Sequence, residues 1–64
     1  MIRINGKEIS AQGRTVEQLV VDEGYDTSRI AVEMNGKILP KSQYKVTFPK
    51  DGDNLEVVSF VGGG

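Results

Sequence analysis

Apolar and polar residues alternate from Ile2 to Asn5, the two-residue period of a strand buried on one face. Asn5-Gly6 ends the alternation. A type I′ turn needs positive φ at both central residues, which Asn tolerates and Gly prefers, so Lys7-Glu8-Ile9-Ser10 is expected to return as the second strand of a tight hairpin. After a short loop over Ala11 to Arg14 the period changes. Thr15-Val16-Glu17-Gln18 has the form of a capping box, in which the Thr15 hydroxyl accepts from the Gln18 backbone N–H and the Gln18 side chain reaches back. Val16, Leu19 and Val20 then fall on one helical face, with Glu17, Gln18 and Asp22 opposite, and Gly24 suits the left-handed residue that ends a helix. Roughly two and a half turns cannot stand alone, so the apolar face must dock on a sheet.

Beyond the polar stretch from Tyr25 to Arg29, the run Ile30-Ala31-Val32-Glu33-Met34 predicts a strand with Ile30, Val32 and Met34 facing the core. Asn35-Gly36 turns it into Lys37-Ile38-Leu39, which Pro40 stops because it cannot donate to a ladder. Lys41 to Tyr44 fits a single helical turn, and Lys45 to Phe48 a further extended piece. Pro49 to Asn54 is a turn cluster, followed by Leu55 to Val61, a last strand rich in β-branched and aromatic residues. A hairpin, one amphipathic helix and further strands make a two-layer α+β domain. The last strand is the most apolar and is best buried mid-sheet beside the first. Residues 1–61 are thus expected to form one domain, with residues 62–64 as a flexible tail.

Length and composition narrow the chemistry. A chain of 64 residues buries only roughly 60% of the surface its unfolded form exposes and has little room for a deep cleft. Eight Lys plus Arg against nine Asp plus Glu give a net charge of −1, which argues against nucleic acid or an anionic membrane as partner. No Cys and no His are present, which removes disulfides, zinc-thiolate sites, cysteine nucleophiles and the commonest general base together. Catalysis by this chain itself is therefore not expected. No leader-like pattern opens the chain and no apolar run approaches the ~20 residues of a membrane span, so the expected location is the cytoplasm.

The three glycines that end the chain, Gly62-Gly63-Gly64, are what the fold leaves unexplained. Glycine is costly to order and has nothing to pack, so the tail should be mobile and carry its carboxylate roughly 10 Å beyond the last strand. A backbone without Cβ can enter a narrow channel and present Gly64 to another protein's active site. A carboxylate is a poor acyl donor and must first be activated, most directly by attack on ATP. These glycines lack the Lys and Ser/Thr of a phosphate-binding loop and precede no helix, so an ATP-using partner has to act in trans.

Phe60-Val61-Gly62-Gly63-Gly64, the turn Asp51-Gly52-Asp53, Val32 to Gly36 with its Asn-Gly, and the hairpin around Asn5-Gly6 resemble the ThiS family of small sulfur carrier proteins of thiamin biosynthesis. The resemblance covers nearly the whole chain, and Gly62 adds a third glycine to the pair that the family pattern asks for. It implies a β-grasp (ubiquitin-like) fold, a mixed sheet of four to five strands packed on one main helix. It also implies a chemistry. An adenylyltransferase would convert the Gly64 carboxylate to an acyl-adenylate, and sulfur from a cysteine-derived persulfide, delivered by a sulfur donor enzyme, would replace AMP to leave a thiocarboxylate. A thiazole synthase would then accept that sulfur. The carrier would bind no cofactor of its own, with Gly62 and Gly63 as the part of the tail that threads the channel.

The last strand offers a surface for such partners. If Leu55, Val57 and Ser59 face one way, Glu56, Val58 and Phe60 face the other, and one short helix cannot cover both sets. Val58 and Phe60 are therefore either rim residues of the core or a docking patch beside the tail. Asp51, Asp53 and Asn54 lack the later Glu and further oxygen ligands of a calcium loop and read as a turn. Lys37, Lys41, Lys45 and Lys50 form a loose basic stretch, a solvated surface or a contact for an acidic partner. Tyr25, Tyr44 and Phe48 read as core or rim aromatics. Three functions fit the residues themselves: a sulfur carrier, for thiamin or for another pathway such as molybdopterin synthesis; a ubiquitin-like protein modifier; or an interaction domain with an inert tail.

Overall fold

The structure is a computed structural model, and it describes residues 1–60. The hairpin forms as expected, β1 (Ile2–Ile4) and β2 (Lys7–Ile9) pairing antiparallel about Asn5 and Gly6, whose φ values are +51° and +83°. The single α-helix among the described residues, α1 (Val16–Asp22), follows. A 3₁₀ turn over Thr27–Arg29 leads into β3 (Ile30–Met34), and Asn35-Gly36 joins β3 to β4 (Lys37–Leu39), again with positive φ at both residues. A second 3₁₀ turn, Lys41–Gln43, precedes the loop to β5 (Asn54–Ser59).

The five strands lie in the order β2-β1-β5-β3-β4. β5 runs parallel to β1 and antiparallel to β3, so the most apolar strand is central and the sheet is mixed. One α-helix packed on such a sheet is the β-grasp arrangement. Ile2, Ile4, Ile30, Val32, Leu55 and Val57 meet Val16, Leu19 and Val20 of α1 in one core, closed at one side by buried Tyr44. Burial disfavours the phenolate of Tyr44 and pushes its pKa above the ordinary value.

The ends of α1 show why so short a helix persists. The Thr15 side chain accepts from the Gln18 N–H at 3.2 Å while the Gln18 side chain accepts from the Thr15 N–H at 2.9 Å. Val16 and Glu17 donate instead to the carbonyls of Thr47 (2.9 Å) and Tyr44 (3.0 Å). Every amide of the first turn thus has an acceptor. At the other end Gly24 has a φ of +93°, its N–H donates to Val21 and that of Tyr25 to Val20, a Schellman ending.

The same bonds explain one correction. Lys45 to Phe48 is not an extended strand; it turns and then runs as loop, because the Thr47 carbonyl serves the start of α1 and the Thr47 hydroxyl donates to Gln43 O at 2.7 Å. Phe48 is also not a core aromatic: it is 57% exposed, whereas Tyr44 is buried and Tyr25 half-buried. The last strand begins one residue early and ends at Ser59, although the Phe60 N–H still donates to Arg29 O at 2.7 Å and extends the ladder. Val61 and the tail Gly62, Gly63 and Gly64 lie outside the described residues. The Thr27–Arg29 turn was not expected; its signal is Asp26, which caps it by accepting from the Ser28 N–H at 2.9 Å.

Candidate functional site

The strand that leads to the tail is held from both flanks. On the β1 side the Asn5 N–H donates to Leu55 O at 2.9 Å. The Asn5 amide oxygen then accepts from the Val57 N–H at 2.8 Å, and its nitrogen donates to Val57 O at 3.1 Å and to the Tyr25 hydroxyl at 2.8 Å. One side chain thus extends β1 along β5 by a further pair of ladder bonds.

On the β3 side Asn35 does the same work at the start of β5. Its N–H donates to Asn54 O at 2.8 Å and its side-chain oxygen accepts from the Asn54 N–H at 2.9 Å. Its side-chain nitrogen donates to Asp53 at 2.9 Å, and the other Asp53 oxygen accepts from the Lys50 N–H at 2.8 Å. These donors favour the carboxylate and hold the Asp53 pKa below its ordinary value, the Lys50 backbone bond first and the Asn35 amide second. The Asp51 to Asn54 cluster is therefore a turn with its polar groups used internally. Sequence pattern explains both asparagines through their φ alone; the bracing amides become visible only once β5 lies between the two hairpins.

With β5 so fixed, its side chains divide as the alternation requires. Leu55 and Val57 are buried, while Glu56, Val58 and Phe60 face solvent, Val58 being 59% and Phe60 55% exposed. Val58 and Phe60 are thus not rim residues of the core but an apolar strip on the uncovered face of the sheet. In sequence it is followed, after Val61, by Gly62, Gly63 and Gly64, which lie outside the described residues. Among the described residues no helix is long and apolar enough to cross a membrane.

The model of the ThiS family matches residues 2–64. The sulfur carrier protein ThiS of Bacillus subtilis is 32% identical, with the whole of both chains covered. The chain belongs to the ThiS family. A crystal structure of a thiamine biosynthesis protein, ThiS, from Geobacter metallireducens superposes with a TM-score of 0.75 at 31% identity, covering 98% of this chain and 97% of that one. That agreement extends the β-grasp assignment from topology to coordinates. A thiazole synthase of Paramagnetospirillum magneticum is 47% identical over 62 residues, which cover 95% of this chain and 19% of the longer protein. A second thiazole synthase, from Magnetococcus marinus, is 34% identical over 64 residues. The chain spans about a fifth of the length of these two relatives.

Proposed function

We propose that this protein is a sulfur carrier of thiamin biosynthesis and that Gly64 is the residue that carries the sulfur. The observation that bears most weight is the Gly62-Gly63-Gly64 ending in a chain that a sulfur carrier protein ThiS matches from end to end. The similarity to a region of two thiazole synthases supports a thiazole synthase as the sulfur acceptor.

In this reading the chain is substrate rather than catalyst. A partner adenylyltransferase binds ATP, the Gly64 carboxylate attacks the α-phosphorus, and pyrophosphate leaves. The terminal sulfur of a persulfide on a sulfur donor enzyme then attacks the acyl carbon and expels AMP. A second thiol takes the remaining sulfur as a disulfide, which frees the thiocarboxylate. The absence of Cβ at Gly62 and Gly63 suits a narrow channel, and Val58 and Phe60 supply the grip that aims the tail into it. The reading goes with a cytoplasmic location, since the ATP-using partner needs a compartment that supplies ATP.

ATP–pyrophosphate exchange with a purified adenylyltransferase tests the first step. The chain should support exchange, and loss of Gly63 and Gly64 should abolish it while the melting temperature stays put, because the core among the described residues is drawn from residues 2–57. Undiminished exchange by the shortened chain would contradict the assignment.

A further inference from the structure

Both hairpin turns are Asn-Gly pairs with positive φ at each residue, +51° and +83° at Asn5 and Gly6 and +53° and +82° at Asn35 and Gly36. An Asn-Gly pair is also the dipeptide most prone to lose its side-chain amide, because a glycine nitrogen with no Cβ beside it readily reaches the preceding carboxamide carbon. Both asparagines are exposed, and a Cβ built on either glycine would meet nothing within 4 Å, so the turns lie open to water. What holds the amides is β5 and its flanks. The Asn5 carboxamide accepts from the Val57 N–H at 2.8 Å and donates to the Val57 carbonyl at 3.1 Å and the Tyr25 hydroxyl at 2.8 Å. That of Asn35 accepts from the Asn54 N–H and donates to Asp53, both at 2.9 Å. Ring closure requires each carboxamide to turn the face of its carbon onto the next residue's nitrogen, and that motion breaks these bonds.

We propose that Asn5 and Asn35 are deamidation sites kept closed by their bonds to β5 and the turn before it, so that each reacts only when its contact opens, and that the product then keeps the contact from re-forming. In the step, the Gly6 or Gly36 nitrogen attacks the carboxamide carbon, the carboxamide nitrogen leaves as ammonia with the glycine proton, and a five-membered succinimide remains. Water opens the ring at either carbonyl to give aspartate or isoaspartate, and nothing is oxidised or reduced. A carboxylate at position 5 has no proton to give the Val57 carbonyl. One at position 35 faces the carboxylate of Asp53, whose other oxygen is already engaged by the Lys50 N–H at 2.8 Å. Each amide donor is thus replaced by a group that repels its former acceptor. Isoaspartate also lengthens the backbone of a two-residue turn and so disturbs the register of its hairpin.

Mass spectrometry with fragmentation, on the full chain held at mildly alkaline pH in native buffer and in denaturing urea, follows both positions in one sample. Both should lose ammonia about tenfold or more faster in urea. Two variants separate local opening from unfolding of the whole. Asp53→Ala removes the acceptor of the Asn35 amide and should speed the reaction at position 35 about threefold or more in native buffer, with position 5 at the parent rate. Tyr25→Phe removes one acceptor of the Asn5 amide and should speed position 5 while position 35 keeps the parent rate. The melting temperature of Asn35→Asp should lie below that of the parent. Equal rates in native buffer and urea overturn the proposal, and so does equal acceleration of both positions by either variant, which would trace the reaction to global unfolding. An Asn35→Asp chain as stable as the parent overturns the claim that the product keeps the contact open.

Discussion

At the scale of single residues, the tail and the Asp53 turn make separate demands. Gly63→Ala adds one methyl group, for which the proposed narrow channel would have no room. Turnover by the adenylating enzyme should fall roughly tenfold or more, since a misplacement of about 1 Å at a reacting group can cost that much, while thermal stability is unchanged. Undiminished turnover would remove the narrow channel from the account. Asp53 has a native pKa held below its ordinary 3.8 by the Lys50 N–H and the Asn35 amide. A depressed carboxylate contributes stability that is present above the unfolded value and lost as pH falls through the native one. Urea unfolding should therefore show the parent more stable than Asp53→Asn at pH 7, with the advantage gone by about pH 2.

Among elements, β5 decides where the site stands, and its bracing is measurable. Asn5→Ala removes both side-chain bonds to Val57 and the partner of the Tyr25 hydroxyl, and should cost about 1–3 kcal/mol in denaturant unfolding. A change under about 0.5 kcal/mol would mean that the ladder holds without it. The contrast between Asn5 and Lys45 to Phe48 shows what pattern can carry. Turn chemistry, capping box and alternation are local signals, so both Asn-Gly hairpins, the start and end of α1 and the two faces of β5 were legible residue by residue. The run Lys45-Val46-Thr47-Phe48 alternates just as a strand does, yet its Thr47 carbonyl is claimed by Val16, and that of the preceding Tyr44 by Glu17, roughly thirty residues back in sequence. A competition between distant partners leaves no periodic trace, and neither does the second use of the Asn5 and Asn35 amides.

For the whole molecule, the division of labour follows from size. Among the described residues, ten buried apolar ones form one core, and the chemistry proposed for the chain is placed on Gly64, beyond the described residues. Phe60→Asp should therefore weaken binding to the adenylating enzyme roughly tenfold or more while shifting stability by no more than about 0.5 kcal/mol, the pattern of a surface anchor. A large drop in melting temperature with binding intact would place Phe60 in the fold instead. The central claim is that Gly64 carries sulfur. Intact mass spectrometry of the untagged chain, after incubation with adenylating enzyme, sulfur donor, ATP and cysteine, reads it directly. The account predicts the mass gain of one oxygen replaced by sulfur, localised to Gly64 by fragmentation; a chain of unchanged mass, or a ladder of conjugates to other proteins without that species, would contradict it.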